Sequence, residues 1–127
     1  MDLTGYVYTE GYDLHDVADT ITDAIQAFIQ PDDGLTFIDD RMPRTPDQRP
    51  EDLPEWNLGI NFHFESVDRP TLTELLFFFH QLSHRTGRDF AFGLYDPERN
   101  TSEDVGYITS RRDFDYEIGR IFEGLAI

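Results

Sequence analysis

The stretch Trp56-Asn57-Leu58-Gly59-Ile60-Asn61-Phe62-His63-Phe64-Glu65-Ser66-Val67 decides the fold class. Leu58, Ile60, Phe62 and Phe64 alternate with Asn57, Gly59, Asn61, His63 and Glu65. Successive strand side chains point to opposite faces, so this pattern describes a strand with one face in a core and one in water. Half-buried strands of this kind belong to antiparallel sheets. The period then changes. Leu72, Leu75, Leu76, Phe79 and Leu82 recur at helical spacing behind Pro70, which suits the first turn of a helix. Thr71 and Glu74 have the spacing of a capping box. His84 and Arg85 fall in the last turn, where the helix dipole favours cations, and Gly87 suits a left-handed C-terminal cap.

Working outward, Leu3 to Thr9 reads as a short strand rich in β-formers. Asp13 is the expected N-cap of a helix over 14–30, with Leu14, Val17, Ala18, Ile21, Ala24, Ile25, Phe28 and Ile29 on one face. Pro31-Asp32-Asp33-Gly34 stops it, and Leu35 to Ile38 reads as a second strand. Residues 39–55 carry Pro43, Pro46, Pro50 and Pro54 among charged residues and read as a long loop. After the second helix, Asp89 to Tyr95 and Asp104 to Thr109 form a hairpin around Asp96-Pro97. Asp113 then caps a final helix with Phe114, Ile118, Ile121, Phe122 and Leu125 inward. The order βαβ-loop-βαββα predicts one α+β domain over residues 1–127, a sandwich with helices on one sheet face. A ferredoxin-like arrangement with extra elements is the expected topology.

The chain has 127 residues, 39% hydrophobic, and a formal net charge of −16. A domain of this length buries roughly two-thirds of its unfolded surface, so a folded core is expected despite the charge. All ten bases are arginine, and there is no cysteine. That excludes disulfides, thiolate nucleophiles and Schiff-base or P-loop lysines. The acidity disfavours direct contact with nucleic acid or an anionic membrane. No apolar run approaches the roughly 20 residues of a membrane span, and the first residues lack a signal-peptide pattern. A cytoplasmic protein is expected.

Catalytic and metal-binding readings each meet a plainer explanation. His80 and His84 stand at i,i+4, a spacing that can place two imidazoles on a metal, but the intervening residues do not form a metalloprotease motif. The pairs Asp32-Asp33 and Asp39-Asp40 could hold a divalent ion, yet Asp is also the ordinary residue of turns. No serine lies in a nucleophile elbow and no glycine-rich phosphate loop follows a strand. Neither an enzyme nor a resident metal or cofactor is expected.

Charge placement points elsewhere. The first 40 residues hold ten acids and no base. Asp16, Asp19 and Asp23 fall at i, i+3 and i+7, an acidic stripe opposite the apolar face that suits docking of something basic. Asp39 and Asp40 extend the acidic region. Phe77 widens the second helix's apolar face, and Trp56 closes the Pro-rich loop; aromatics beside charges are common anchors of protein interfaces. The expected partner-binding residues are therefore Asp16, Asp19, Asp23, Asp39, Asp40, Trp56 and Phe77.

The segment Trp56-Asn57-Leu58-Gly59-Ile60, the helix after it, Gly87-Arg88-Asp89-Phe90 and the strand pair containing Ser102-Glu103-Asp104 resemble small acidic immunity proteins of bacterial polymorphic toxin systems. The resemblance spans residues 56–122. It implies a non-catalytic inhibitor that binds a cognate toxin, itself a basic protein domain. Three other readings stand beside it: a halophile-adapted protein of unstated role, a nucleic-acid mimic, and a small metal-dependent enzyme using the Asp pairs or His80 and His84.

Overall fold

A computed structural model describes residues 3–10, 14–31, 33–41 and 56–125. Among these the chain runs β1 (Thr4–Thr9), α1 (Ala18–Phe28), β2 (Leu35–Arg41), β3 (Trp56–His63), a 3-10 turn (Phe64–Ser66), α2 (Arg69–Thr86), β4 (Phe90–Asp96), β5 (Thr101–Ile108) and α3 (Phe114–Leu125). The fold class is α+β, as the strand and helix periods predict.

The five strands form one antiparallel sheet in the order β2-β3-β1-β4-β5. This is not the plain four-stranded sheet of a ferredoxin-like domain. The strand directions give β1 and β2 parallel with β3 between them, and β3 and β4 parallel with β1 between them. β1 therefore sits at the centre, its Val7 opposite Ile60 on one side and Phe92 on the other.

The alternation separates the two faces. Val7, Leu58, Ile60, Phe62, Phe90, Phe92 and Ile108 share one core with Ile21 and Ile25 of α1, the α2 stripe, and Ile121 and Phe122 of α3. Phe79 and Phe90, both without solvent exposure, pack at 5.0 Å between ring centroids. Burying a side chain of this size contributes about 1.5–3 kcal/mol. All three helices thus lie on one face of the sheet, and no described helix packs on the other.

Several boundaries differ from expectation for identifiable reasons. Leu14 and Val17 join the core, but residues 15–17 form a turn and α1 starts only at Ala18. Its N-cap is Val17, which has no side-chain acceptor to offer; Asp13 lies outside the described residues. α2 is capped by Asp68, whose carboxylate accepts the Thr71 N–H at 2.9 Å, so the cap lies ahead of the expected Thr71-Glu74 box. Gly87 closes the helix with φ 72°, and its N–H donates to the Ser83 carbonyl. β2 runs on through Asp39 and Asp40, which are strand residues rather than the start of the Pro-rich loop; residues 42–55 lie outside the described set. β3 stops at His63, where the chain enters the 3-10 turn, rather than continuing to Val67. β5 begins three residues early at Thr101, and its register shifts where it passes Phe92 and Gly93.

The Asp68 cap has a pH signature. Hydrogen bonds from Thr71 hold its carboxyl below the usual carboxylate range. A folded-state value below the unfolded one stabilises at pH above the unfolded carboxylate range, and that stabilisation is lost as pH falls through the folded value. Asp68→Ala is expected to lower the thermal midpoint at pH 7 and to match the parent at pH 2. Asp68→Asn, which keeps an acceptor at every pH, is expected to lose less. A deficit for Asp68→Ala that is equal at both pH values would rule out the charged cap.

Candidate functional site

The face of the sheet away from the helices is the arrangement that stands out. On β1 the even residues Tyr6 and Tyr8 point to it, because Val7 points to the core. The register sets Tyr6 opposite Gly93 of β4, and Gly93 opposite Asp104 of β5. With no side chain at 93, the Tyr6 ring lies across β4, and its hydroxyl donates to Asp104 Oδ1 at 2.5 Å. A Cβ at Gly93 would sit 2.1 Å from the Tyr6 hydroxyl oxygen. Tyr107, half exposed on β5, donates to Asp104 Oδ2 at 3.2 Å. One carboxylate is thus held between two phenols.

Tyr8 leans the other way. Its partner on β3 is Gly59, and its hydroxyl donates to Asn61 Oδ1 at 2.5 Å. Backbone crowds Gly59: a Cβ there would meet the Val7 carbonyl oxygen at 1.8 Å. The Tyr6 and Tyr8 rings stack with centroids 5.0 Å apart and planes 23° apart. On β2 the exposed Asp40, opposite Asn57 in register, lies close enough for its charge to act on the Tyr8 phenol. At the far hairpin, Tyr95 donates to Asn100 Oδ1 at 2.7 Å; Asn100 itself has φ 52°.

The electrostatics follow from this crowding. Burial first, then the hydrogen bond to Asp104, pushes the Tyr6 phenol far above the ordinary tyrosine value. Burial, and then the charge of Asp40, raise Tyr8. Asp104 raises Tyr107 by its charge and its hydrogen bond. Glu10, just past β1, is raised by partial desolvation of its carboxyl, then by the Asp104 and Asp89 carboxylates. Beside it, Glu10, Arg88, Asp89 and Arg111 line an open cleft of about 440 Å³, where Arg111 pairs with Asp89 at 2.7 Å.

The residues picked from sequence fall on both sides of the molecule. Asp40 joins the tyrosine face. Asp39 follows the opposite alternation, beside Leu58 in register, so the two carboxylates do not converge. Asp19 and Asp23 are exposed on α1, in the helical layer. Asp16 precedes that helix and bonds to Arg88 Nη2 at 3.0 Å, so a base from the segment after α2 offsets it. Phe77 is 44% exposed and packs edge-on to Phe114 at 5.1 Å, also in the helical layer. Trp56 opens β3 opposite Arg41, and its side chain lies outside the described set. Of the Asp pair in the turn, Asp32 lies outside it too. Asp33 bonds the Gln30 and Leu35 N–H groups, the ordinary turn role.

His80 does something other than the metal reading expects. It is buried, and its Nδ1 lies 2.9 Å from Glu117 Oε1. Glu117, also buried, accepts the Thr109 N–H on Oε2 at 2.6 Å. The group ties α2, α3 and the end of β5 together, with the His84 ring edge-on to His80 at 4.9 Å. Among the described residues no group of three or more His, Cys, Asp or Glu side chains could hold a metal ion. Likewise none of their helices is long and apolar enough to cross a membrane.

Tyr6, Tyr8, Asn61, Asp104 and Tyr107 were not among the expected site residues. The signal lay in the strand glycines: Gly59 and Gly93 interrupt good strands, which marks close approach of another group. Comparison with family models, with curated proteins and with solved structures gave no match to this chain.

Two measurements check this geometry. Gly93→Ala is expected to cost about 1–3 kcal/mol by overpacking against Tyr6 and against the Glu103 carbonyl oxygen, 2.7 Å from the added Cβ, and less in a Tyr6→Ala background, where only the backbone clash remains; strictly additive costs would remove the Tyr6 contribution. Glu10 supplies the second. Its folded value is raised, so ionisation works against the folded state once pH exceeds the unfolded carboxylate range, and the penalty vanishes below that range. Glu10→Gln is expected to raise the thermal midpoint at pH 7 and leave it unchanged at pH 3.

Proposed function

We propose that this chain is a non-catalytic acidic binding protein that neutralises a basic toxin domain of bacterial origin, in the manner of an immunity protein. One observation carries the reading: a sheet face left open by the described helices, furnished with tyrosines and carboxylates. Tyrosine supplies wide contact area at low entropy cost and is enriched at protein interfaces. The net charge of −16 favours a cationic partner and fast association. Exposed Asp19 and Asp23 on α1 add to the same field from the helical layer. The reading places the protein in the cytoplasm, where it would meet an incoming toxin.

The finer topology belongs to the same proposal. The interleaving of β1 with β3 and β4 supports a ferredoxin-like unit of four strands, α1 and α2, extended by β5 and α3. The extension matters because β5 carries Asp104 and Tyr107, half of the candidate face.

The test is co-expression with toxin domains encoded beside this gene. Growth rescue with a one-to-one complex by light scattering is the expected outcome. Absence of rescue, or rescue at strongly substoichiometric levels, would overturn the reading, the latter in favour of an enzyme. Salt response separates the halophile alternative: stability gained steeply in molar KCl would identify salt adaptation, and a flat response is expected here.

A further inference from the structure

The open face has a charge layout as well as a composition. Its carboxylates stand at the two ends of the tyrosine strip, Asp40 on β2 and Asp104 on β5, both exposed. Four strand spacings separate β2 from β5, about 19 Å at roughly 4.8 Å each, and the register staggers Asp40 from Asp104 by four residues along the strands, about 13 Å, so the two carboxylates stand about 23 Å apart. Between them the Tyr6 ring is buried and supports the half-buried Tyr8 ring stacked on it, so the aromatic area offered to a partner is that of Tyr8 and of the exposed Tyr107. The strand residues on this face include no lysine or arginine. Asp104 is oriented by two phenol donors, one on each oxygen, which leaves further lone pairs on both oxygens for a planar fork of donors. A guanidinium matches that carboxylate in geometry and stacks on aromatic faces, which an ammonium does less well.

We infer that the partner lays an extended, arginine-bearing segment across the strands of this face, one guanidinium at Asp104 beside Tyr107 and a second at Asp40 beside Tyr8. The inference rests on the reading above of this face as the docking surface, and it specifies that surface's ligand. An extended chain advances about 3.3 Å per residue, so a segment running obliquely from one to the other carries its two arginines about seven residues apart.

The probes are two capped peptides of equal charge and length, one with two arginines seven positions apart in a Gly-Ser chain, the other with the two arginines adjacent. Binding to the full chain is read by calorimetry and by shifts of the tyrosine ring resonances at low salt. The spaced peptide is expected to bind at least tenfold tighter than the adjacent one. Asp40→Asn with Asp104→Asn is expected to lower its affinity at least tenfold. Asp19→Asn with Asp23→Asn, which removes the same charge from α1, is expected to change it less than twofold. Thermal midpoints check that both double variants fold; if the first does not, Asp40→Asn alone carries the comparison. Equal affinity for the two spacings, equal losses in the two double variants, absence of binding, or a face already occupied by a second copy of the chain would each overturn the inference. If a toxin is neutralised by a complex insensitive to the Asp40 and Asp104 changes, this inference falls and the immunity reading stands. If the spaced peptide binds as described while no toxin is neutralised, the reverse holds.

Discussion

Everything in this structure depends on the register of β1. It is a six-residue strand hydrogen-bonded on both sides, with Val7 fully buried and its neighbours Tyr6 and Tyr8 turned to the opposite face. A slip of one residue would drive both phenols into an aliphatic and phenylalanine core and expose Val7. The cost of burying two unpartnered hydroxyls guards against that. Gly59 and Gly93 reinforce the choice, because each stands opposite a tyrosine at the one register where its missing side chain is needed. The same constraint therefore fixes the core and shapes the open face.

The two faces divide the chemistry. Helices and phenylalanines hold the inner face, where Thr9 bonds the Leu58 carbonyl and His80 bonds Glu117, while the buried Ser83 hydroxyl makes no hydrogen bond among the described residues. On the outer face the polar groups bond one another, Tyr6 to Asp104 and Tyr8 to Asn61 across strands and Tyr107 to Asp104 within β5. Asp104 is the clearest case. Its phenol partners come from β1 and from its own strand, so it links the central strand to the edge while staying exposed. This is a prearranged polar surface rather than a flexible one, and prearrangement reduces the ordering cost of binding.

Element order and fold class were legible from the sequence because they rest on period. The alternation in 56–64 and the helical spacing in 72–82 leave little room for another assignment. Helix starts were less legible. Val17 begins α1 without a cap because Leu14 and Val17 are placed by burial, not by local hydrogen bonding. The candidate face was the least legible part. Tyr6, Gly93 and Asp104 are brought into line by pairing across three strands, and no local pattern announces a contact between residues 98 positions apart. Composition had drawn attention to Asp16, Asp19 and Asp23, where like residues cluster in sequence. Yet Asp16 is matched by Arg88, 72 positions away. Charge read along a chain misses the countercharge that folding brings in.

The strand order also has a consequence in time. The central strand is made first, but its two neighbours are β3 and β4, and Thr9 waits for Phe90. At synthesis rates of about 5–20 residues per second, β1 spends on the order of 4–16 seconds with one side unpaired. Through that interval an apolar, tyrosine-bearing strand edge is open to pairing with other chains. The ten acids of the first 40 residues travel with it from the start. Like charges repel, so these acids oppose pairing between nascent copies until the later strands arrive.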